Sequence, residues 1–185
     1  MNVHQKVSAR SYTVDEFLTT FEGVEGKHEL VDGVVSTMMT NVTYFHAEVT
    51  SALCAALRAG LPDNLTALSS DFGVLTKAGV RYPDVLVRER DGANEMTTQR
   101  PLVIAEILSK TTMAQDFGEK ANEYRAIDSL QHYLIFEQAE PRMWMINRAE
   151  DGWTDAQLVE GIEAEISLDK PKLTLAMRSI YGGIV

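Results

Sequence analysis

Three charged residues stand where their surroundings call for apolar ones, and together they could carry metal-assisted hydrolysis. Glu106 lies within Leu102-Val103-Ile104-Ala105-Glu106-Ile107-Leu108, where the neighbours on both faces of a strand are apolar. An ionised carboxylate buried there is costly unless something compensates it. A metal ion, a cationic partner or a strand end that reaches water would each do so. Asp84 opens the run Asp84-Val85-Leu86-Val87 after Pro83, a residue that cannot donate to a strand ladder. The same placement also suits a turn or cap residue. Lys120 falls in the middle of an apolar helical stripe made by Met113, Phe117, Tyr124 and Ile127. Asp116, Glu119 and Glu123 lie to one side of that stripe, where a solvated lysine would belong. A lysine whose stem packs while its amine escapes to water gives the same spacing.

Carboxylates and an ammonium gathered in one pocket form a known device. Carboxylate oxygens suit Mg²⁺. Such an ion lowers the pKa of a bound water and stabilises charge on a phosphoryl group. The lysine can orient or deprotonate that water, or stabilise developing charge.

The elements that must position these groups follow from periodicity. A helix is predicted over 13–21, with Thr13 and Glu16 forming a capping box. Residues 28–36 read as a hairpin turning at Asp32-Gly33. Residues 42–59 form an amphipathic helix with Phe45, Val49, Ala52, Leu53 and Ala56 on one face, ended by Gly60 and Pro62. Strands are expected at 72–75 and 82–87, then a polar loop over 88–100. Residues 102–108 make a central strand buried on both faces. A helix over 112–127, opened by Thr112 and Gln115, follows directly, so it packs back on the sheet and turns Lys120 toward the strand carboxylates. Strands at 132–136 and 142–147, with a turn at Glu140-Pro141, precede shorter strands near 153–159 and 173–175 and a helical end. The switching periods indicate mixed α/β.

Composition sets outer limits. A chain of 185 residues fits one domain over 1–185 and can bury a sufficient core without disulfides. The lone cysteine, Cys54, fits a reducing, cytoplasmic setting. The start of the chain lacks a signal-peptide pattern, and no apolar run reaches membrane-spanning length. The net charge of −10 argues mildly against nonspecific nucleic-acid binding, which relies on clustered Lys and Arg, and is compatible with a nuclease whose acids gather at a metal site.

The segments Glu29-Leu30-Val31-Asp32-Gly33, Pro83-Asp84-Val85, Glu106-Ile107-Leu108-Ser109 and Asp116-Phe117-Gly118-Glu119-Lys120 with Tyr124 resemble the Uma family of restriction endonucleases. That family lies within the PD-(D/E)XK nuclease superfamily, and the likeness runs from about His28 to Asn147. It implies a restriction-endonuclease-like core, a mixed central sheet flanked by helices. It implies that Asp84 and Glu106 are catalytic acids, that Asp84, Glu106 and Glu29 hold Mg²⁺ or Mn²⁺, and that the substrate is DNA cut by a homodimer. Leu108 stands where the superfamily's usual lysine would be; the likeness places that lysine at Lys120, with Lys110 as the alternative. His46, Gln131 and His132 are lesser candidates. Ser109 and Asp32 read as cap and turn residues, and Cys54 lies off the apolar face of its helix with no assigned chemistry. The Met143-Trp144-Met145 run suits either a core strand or an apolar patch. Two rival readings are a noncatalytic binding or assembly module and a hydrolase of another phosphoester.

Overall fold

A computed structural model describes residues 5–6, 10–38, 42–69, 71–92, 94–109 and 113–185. In chain order the elements are β1 (Gln5–Lys6), α1 (Val14–Phe21), β2 (Lys27–Val31), β3 (Val34–Met38), α2 (Tyr44–Gly60), β4 (Leu65–Ser69), β5 (Gly73–Leu75), β6 (Gly79–Arg81), β7 (Val85–Glu89) and β8 (Thr97–Thr98). They continue as β9 (Pro101–Ile107), α3 (Met113–Phe117), α4 (Glu119–Arg125), β10 (His132–Phe136), β11 (Arg142–Ala149), β12 (Gly152–Trp153), β13 (Gln157–Glu160), β14 (Glu165–Asp169), β15 (Lys172–Ala176) and α5 (Met177–Tyr181).

The apolar run of β9 occupies the interior of the main sheet, whose order is β12-β11-β10-β9-β7-β4, with β13 also pairing β11. β9 runs parallel to β10 and antiparallel to β7. Alternation along the strand divides its side chains between two cores. Val103, Ala105 and Ile107 meet Val49, Leu53 and Leu57 of α2, and that core continues into the β14–β15 hairpin and α5. Ile104 and Leu108 face the other way, onto Ala121 and Tyr124 of α4 and Tyr133 of β10. Glu106 shares this second face by the same parity. A smaller sheet, ordered β1-β3-β2-β6-β5-β8, packs Leu30, Val35 and Val80 against Phe17 of α1. The mixed α/β architecture expected from periodicity is the one observed.

Local chemistry accounts for most boundaries. Thr13 and Glu16 cap α1 reciprocally, as their spacing predicts. Asp32 and Gly33 both take positive φ, 49° and 78°, the pair of conformations a two-residue hairpin turn demands. The helix expected over 112–127 is instead two pieces, parting at Gly118. A Cβ there would stand 2.7 Å from the Ala114 carbonyl oxygen, so the chain bends where only glycine fits. Thr112 and Lys110 lie outside the described residues. β4, β6 and β14 had no counterpart in the periodicity, and the strand expected near 153–159 is two short strands, β12 and β13. Phe45 is 41% exposed rather than buried. Rows of residues four apart drift by about 40° per step on a helix, so Val49, Leu53 and Leu57 stay on the sheet while the row's first member rotates off it. Cys54, expected off the apolar face, is half-buried and packs against the core of α2.

These positions differ measurably. Leu53→Ala should cost about 2–5 kcal/mol in urea unfolding, as a large-to-small change in a closed core does. Phe45→Ala should cost about 0.5 kcal/mol or less. Equal losses would contradict this assignment of the faces of α2.

Candidate active site

The alternation of β9 points Glu106 at α4, and α4 answers with Lys120. The ammonium Nζ lies 3.1 Å from Glu106 Oε1, and Lys120 is only 2% exposed. Four residues on, one helical turn, Tyr124 donates its hydroxyl to the same Oε1 at 2.9 Å. Asp116, four residues before Lys120, brings Oδ1 to 3.3 Å from the ammonium. Asp116 is 1% exposed. Its expected place on the solvated side of the helix is thus corrected: the bend at Gly118 turns it inward.

Asp84 immediately precedes β7, whose Val85 pairs with Ala105. The ladder therefore sets Asp84 opposite Glu106. The Ile107 N–H donates to Asp84 Oδ2 at 2.8 Å, and His46 Nε2 approaches the same oxygen to 3.3 Å. His46 is delivered by the first turn of α2, where the Thr43 hydroxyl accepts its backbone N–H. Glu29 arrives from β2, fully buried. Arg81 donates Nη1 to its Oε2 at 2.9 Å, and the Tyr82 N–H donates to its Oε1 at 3.2 Å.

The electrostatics follow from burial and from crowding of like charge. Burial pushes the Glu106 carboxyl up to about 7; Lys120 opposes this, while Asp116, Asp84 and Glu29 add to it. Burial works against the charge of Lys120, but Glu106, Glu29, Asp116 and Asp84 outweigh it and hold the ammonium protonated above its ordinary range. Burial would also raise Asp84, yet the His46 contact, the charge of Lys27 and the Ile107 N–H keep it below the usual value. Glu29 is likewise held low against its burial, by Lys120, Arg81 and the Tyr82 N–H. Burial and the Glu106 charge drive the Tyr124 hydroxyl well up, so it remains a donor.

Among the described residues, Glu106, Asp116, Asp84 and Glu29 crowd the Lys120 ammonium, and Arg81 pairs with Glu29 beside it; carboxylates gathered this way suit a hard cation. Among the described residues no group of three or more His, Cys, Asp and Glu side chains could hold a metal ion. Mg²⁺ does not require one, since it commonly takes one or two carboxylates and completes its shell with water and substrate phosphate. Asp84 and Glu106 fit that donor set.

The remaining candidates lie elsewhere. His132 pairs with Val103, three positions along β9 from Glu106. Its Nδ1 is 2.7 Å from Asn147 Oδ1 and its Nε2 2.9 Å from Asp169. Gln131 donates to the Ser129 carbonyl. Asp32 serves the hairpin turn. Burial pushes the Cys54 thiol up, away from reactivity. Periodicity missed Asp116, Tyr124 and Arg81 as members of the site. For the first two, spacings of four on either side of Lys120 were the available signal.

Residues 14–178 match the family model Uma2, described as "Putative restriction endonuclease". No curated protein matches the chain. Among solved structures, the crystal structure of "a putative nuclease belonging to DUF820" from Anabaena variabilis aligns with a TM-score of 0.70 at 13% identity, covering 94% of this chain and 99% of that one. At that identity the likeness establishes the fold. No helix among the described residues is long and apolar enough to cross a membrane.

The raised Glu106 carboxyl has a consequence for stability. Its folded value of about 7 exceeds the ordinary 4.5, so the folded state holds a proton that the unfolded chain releases. Metal-free protein should therefore lose stability as pH rises from about 4.5 to about 7. Glu106→Gln should flatten that stretch of the urea-midpoint profile; an unchanged slope would rule Glu106 out as its source.

Proposed function

The chain belongs to the Uma2 restriction-endonuclease family, and from that premise we propose that it is a single-domain, divalent-metal-dependent endonuclease hydrolysing DNA phosphodiester bonds. The observation that carries the reading is the buried contact of Lys120 with Glu106, beside Asp84 on the neighbouring strand.

In this reading Asp84 and Glu106 hold Mg²⁺ or Mn²⁺. Bound there, the ion would lower the pKa of a water and stabilise charge on the phosphoryl oxygens. The protein groups supply the rest. The Ile107 N–H and His46 fix the rotamer of Asp84. Tyr124 fixes Glu106 by donating to Oε1. Lys120, held protonated, orients the nucleophile and stabilises developing negative charge rather than acting as a base. Glu29 assists through its charge on Lys120. Cleaving both strands of a duplex would call for a symmetric homodimer.

The net charge of −10 favours a second reading, a noncatalytic relative acting as a binding or assembly module. The two separate on titration with Mn²⁺ and on cleavage. Calorimetry on wild type should show binding that Asp84→Ala abolishes. Plasmid, single-stranded DNA and RNA should be assayed with Mg²⁺ and Mn²⁺, and Lys120→Ala should lower the cleavage rate by about a hundredfold, as loss of a positioned charge does. No binding at millimolar metal supports the module. Cleavage that survives in Lys120→Ala removes the lysine from the chemistry.

A further inference from the structure

Arg81 ends β6 and is almost wholly buried, although nothing in the chemistry above requires a second cation there. Its guanidinium is shared between two elements of the site. Toward the smaller sheet it donates Nη1 to Glu29 Oε2 at 2.9 Å. Toward α4 it forks onto Glu123, with Nε 3.0 Å from Oε2 and Nη2 2.5 Å from Oε1. The Thr76 hydroxyl donates to the same Oε2 at 3.1 Å, so Glu123 is held from two sides. A bidentate guanidinium–carboxylate pair fixes direction as well as distance.

Glu123 lies three residues after Lys120 on α4, a helix of one and a half to two turns that Gly118 detaches from α3. Such a short helix has little rigidity of its own. Its rotation must come from what grips it, and the Arg81 fork is a charged grip close to Lys120. The same guanidinium occupies the Glu29 carboxylate, while the Tyr82 N–H takes its other oxygen.

We propose that Arg81 is a positioning residue: by clamping Glu123 it fixes the rotation of α4 that delivers Lys120 to Glu106. Its effect on catalysis rests on the reading of Lys120 and Glu106 as the catalytic pair; its effect on where the Lys120 amine sits does not.

Two variants and three measurements test this. Arg81→Lys keeps a charge and loses the fork. Glu123→Gln leaves Arg81 in place and weakens the clamp at a partner that is 12% exposed, so it folds even should Arg81→Lys fail to. Acylation of the Lys120 amine in metal-free protein, followed by peptide mass spectrometry, reports its seating. Cleavage with Mg²⁺ gives kcat and KM, and urea unfolding gives global stability. In both variants Lys120 should acylate about tenfold faster or more while exposed lysines are unchanged, and kcat should fall by a similar factor with KM within about twofold, because small misplacements of a catalytic group are costly. Lys120 as protected as in wild type overturns the proposal. So does acylation that rises only as far as the loss of global stability accounts for. A wild type that neither binds Mn²⁺ nor cleaves would sink the nuclease reading instead, and the acylation rates would still decide the role of Arg81.

Discussion

The contact between Lys120 and Glu106 is the constraint around which the rest of the molecule is arranged. Taking an ammonium and a carboxylate out of water costs several kcal/mol for each, and their attraction often does no better than break even against a well-packed apolar pair. The pair is therefore a poor device for stability alone. Its surroundings point the same way. Around the Lys120 ammonium the described residues place three further carboxylates, Asp116, Asp84 and Glu29, with Arg81 beside them as a second buried cation. An arrangement that leaves Glu106 half-titrated near neutrality is one that a dication would relieve.

Strand β9 makes this compatible with folding. Its odd-numbered side chains, Val103, Ala105 and Ile107, build the larger core with α2 without any contribution from the charged residue. Its even-numbered side chains meet α4, where Ile104 and Leu108 bracket Glu106 with apolar contact. One face of the strand is wholly apolar, while the other sets the charge within a second apolar core. The parallel neighbour β10 and antiparallel neighbour β7 satisfy the backbone on both sides, so the strand can hold a costly side chain without fraying. Asp84 completes the pattern by standing at the start of β7, where the free Ile107 N–H gives its carboxylate a donor.

Much of this was legible because the key residues break a pattern. Glu106 interrupts an apolar strand and Lys120 an apolar helical stripe, and both are buried and in contact. Asp84 stands out only beside Pro83. Asp116 was legible only through its spacing of four from Lys120, because its charge groups it with Glu119 and Glu123 on the solvated side; the bend at Gly118 parts it from them. Arg81 was hidden for another reason. It ends a three-residue strand between turns, too short to show alternation, so no expectation of burial existed for it to violate. The inward face of α2 was legible from Val49 and Leu53 onward but not at Phe45, which the drift of a four-apart row carries off the sheet. Tertiary closure, not propensity, decided each of the three.

The acidity of the chain bears on how a polyanion could be handled. Among the described residues, the carboxylates Glu106, Asp116, Asp84 and Glu29 exceed the buried cations Lys120 and Arg81 by two, a small part of the net −10. A net charge of −10 does not favour binding by many lysine–phosphate contacts, with the counterion release that drives it. Attraction for a phosphodiester would have to be local, concentrated at a dication between Asp84 and Glu106 and at the protonated Lys120. In the proposed reading, affinity for substrate and capacity for chemistry would be two consequences of one filled pocket. In the proposed nuclease reading, such a domain would hold nucleic acid weakly until a dication is bound, and the carboxylate crowding around Glu106 is what would tie the two events together.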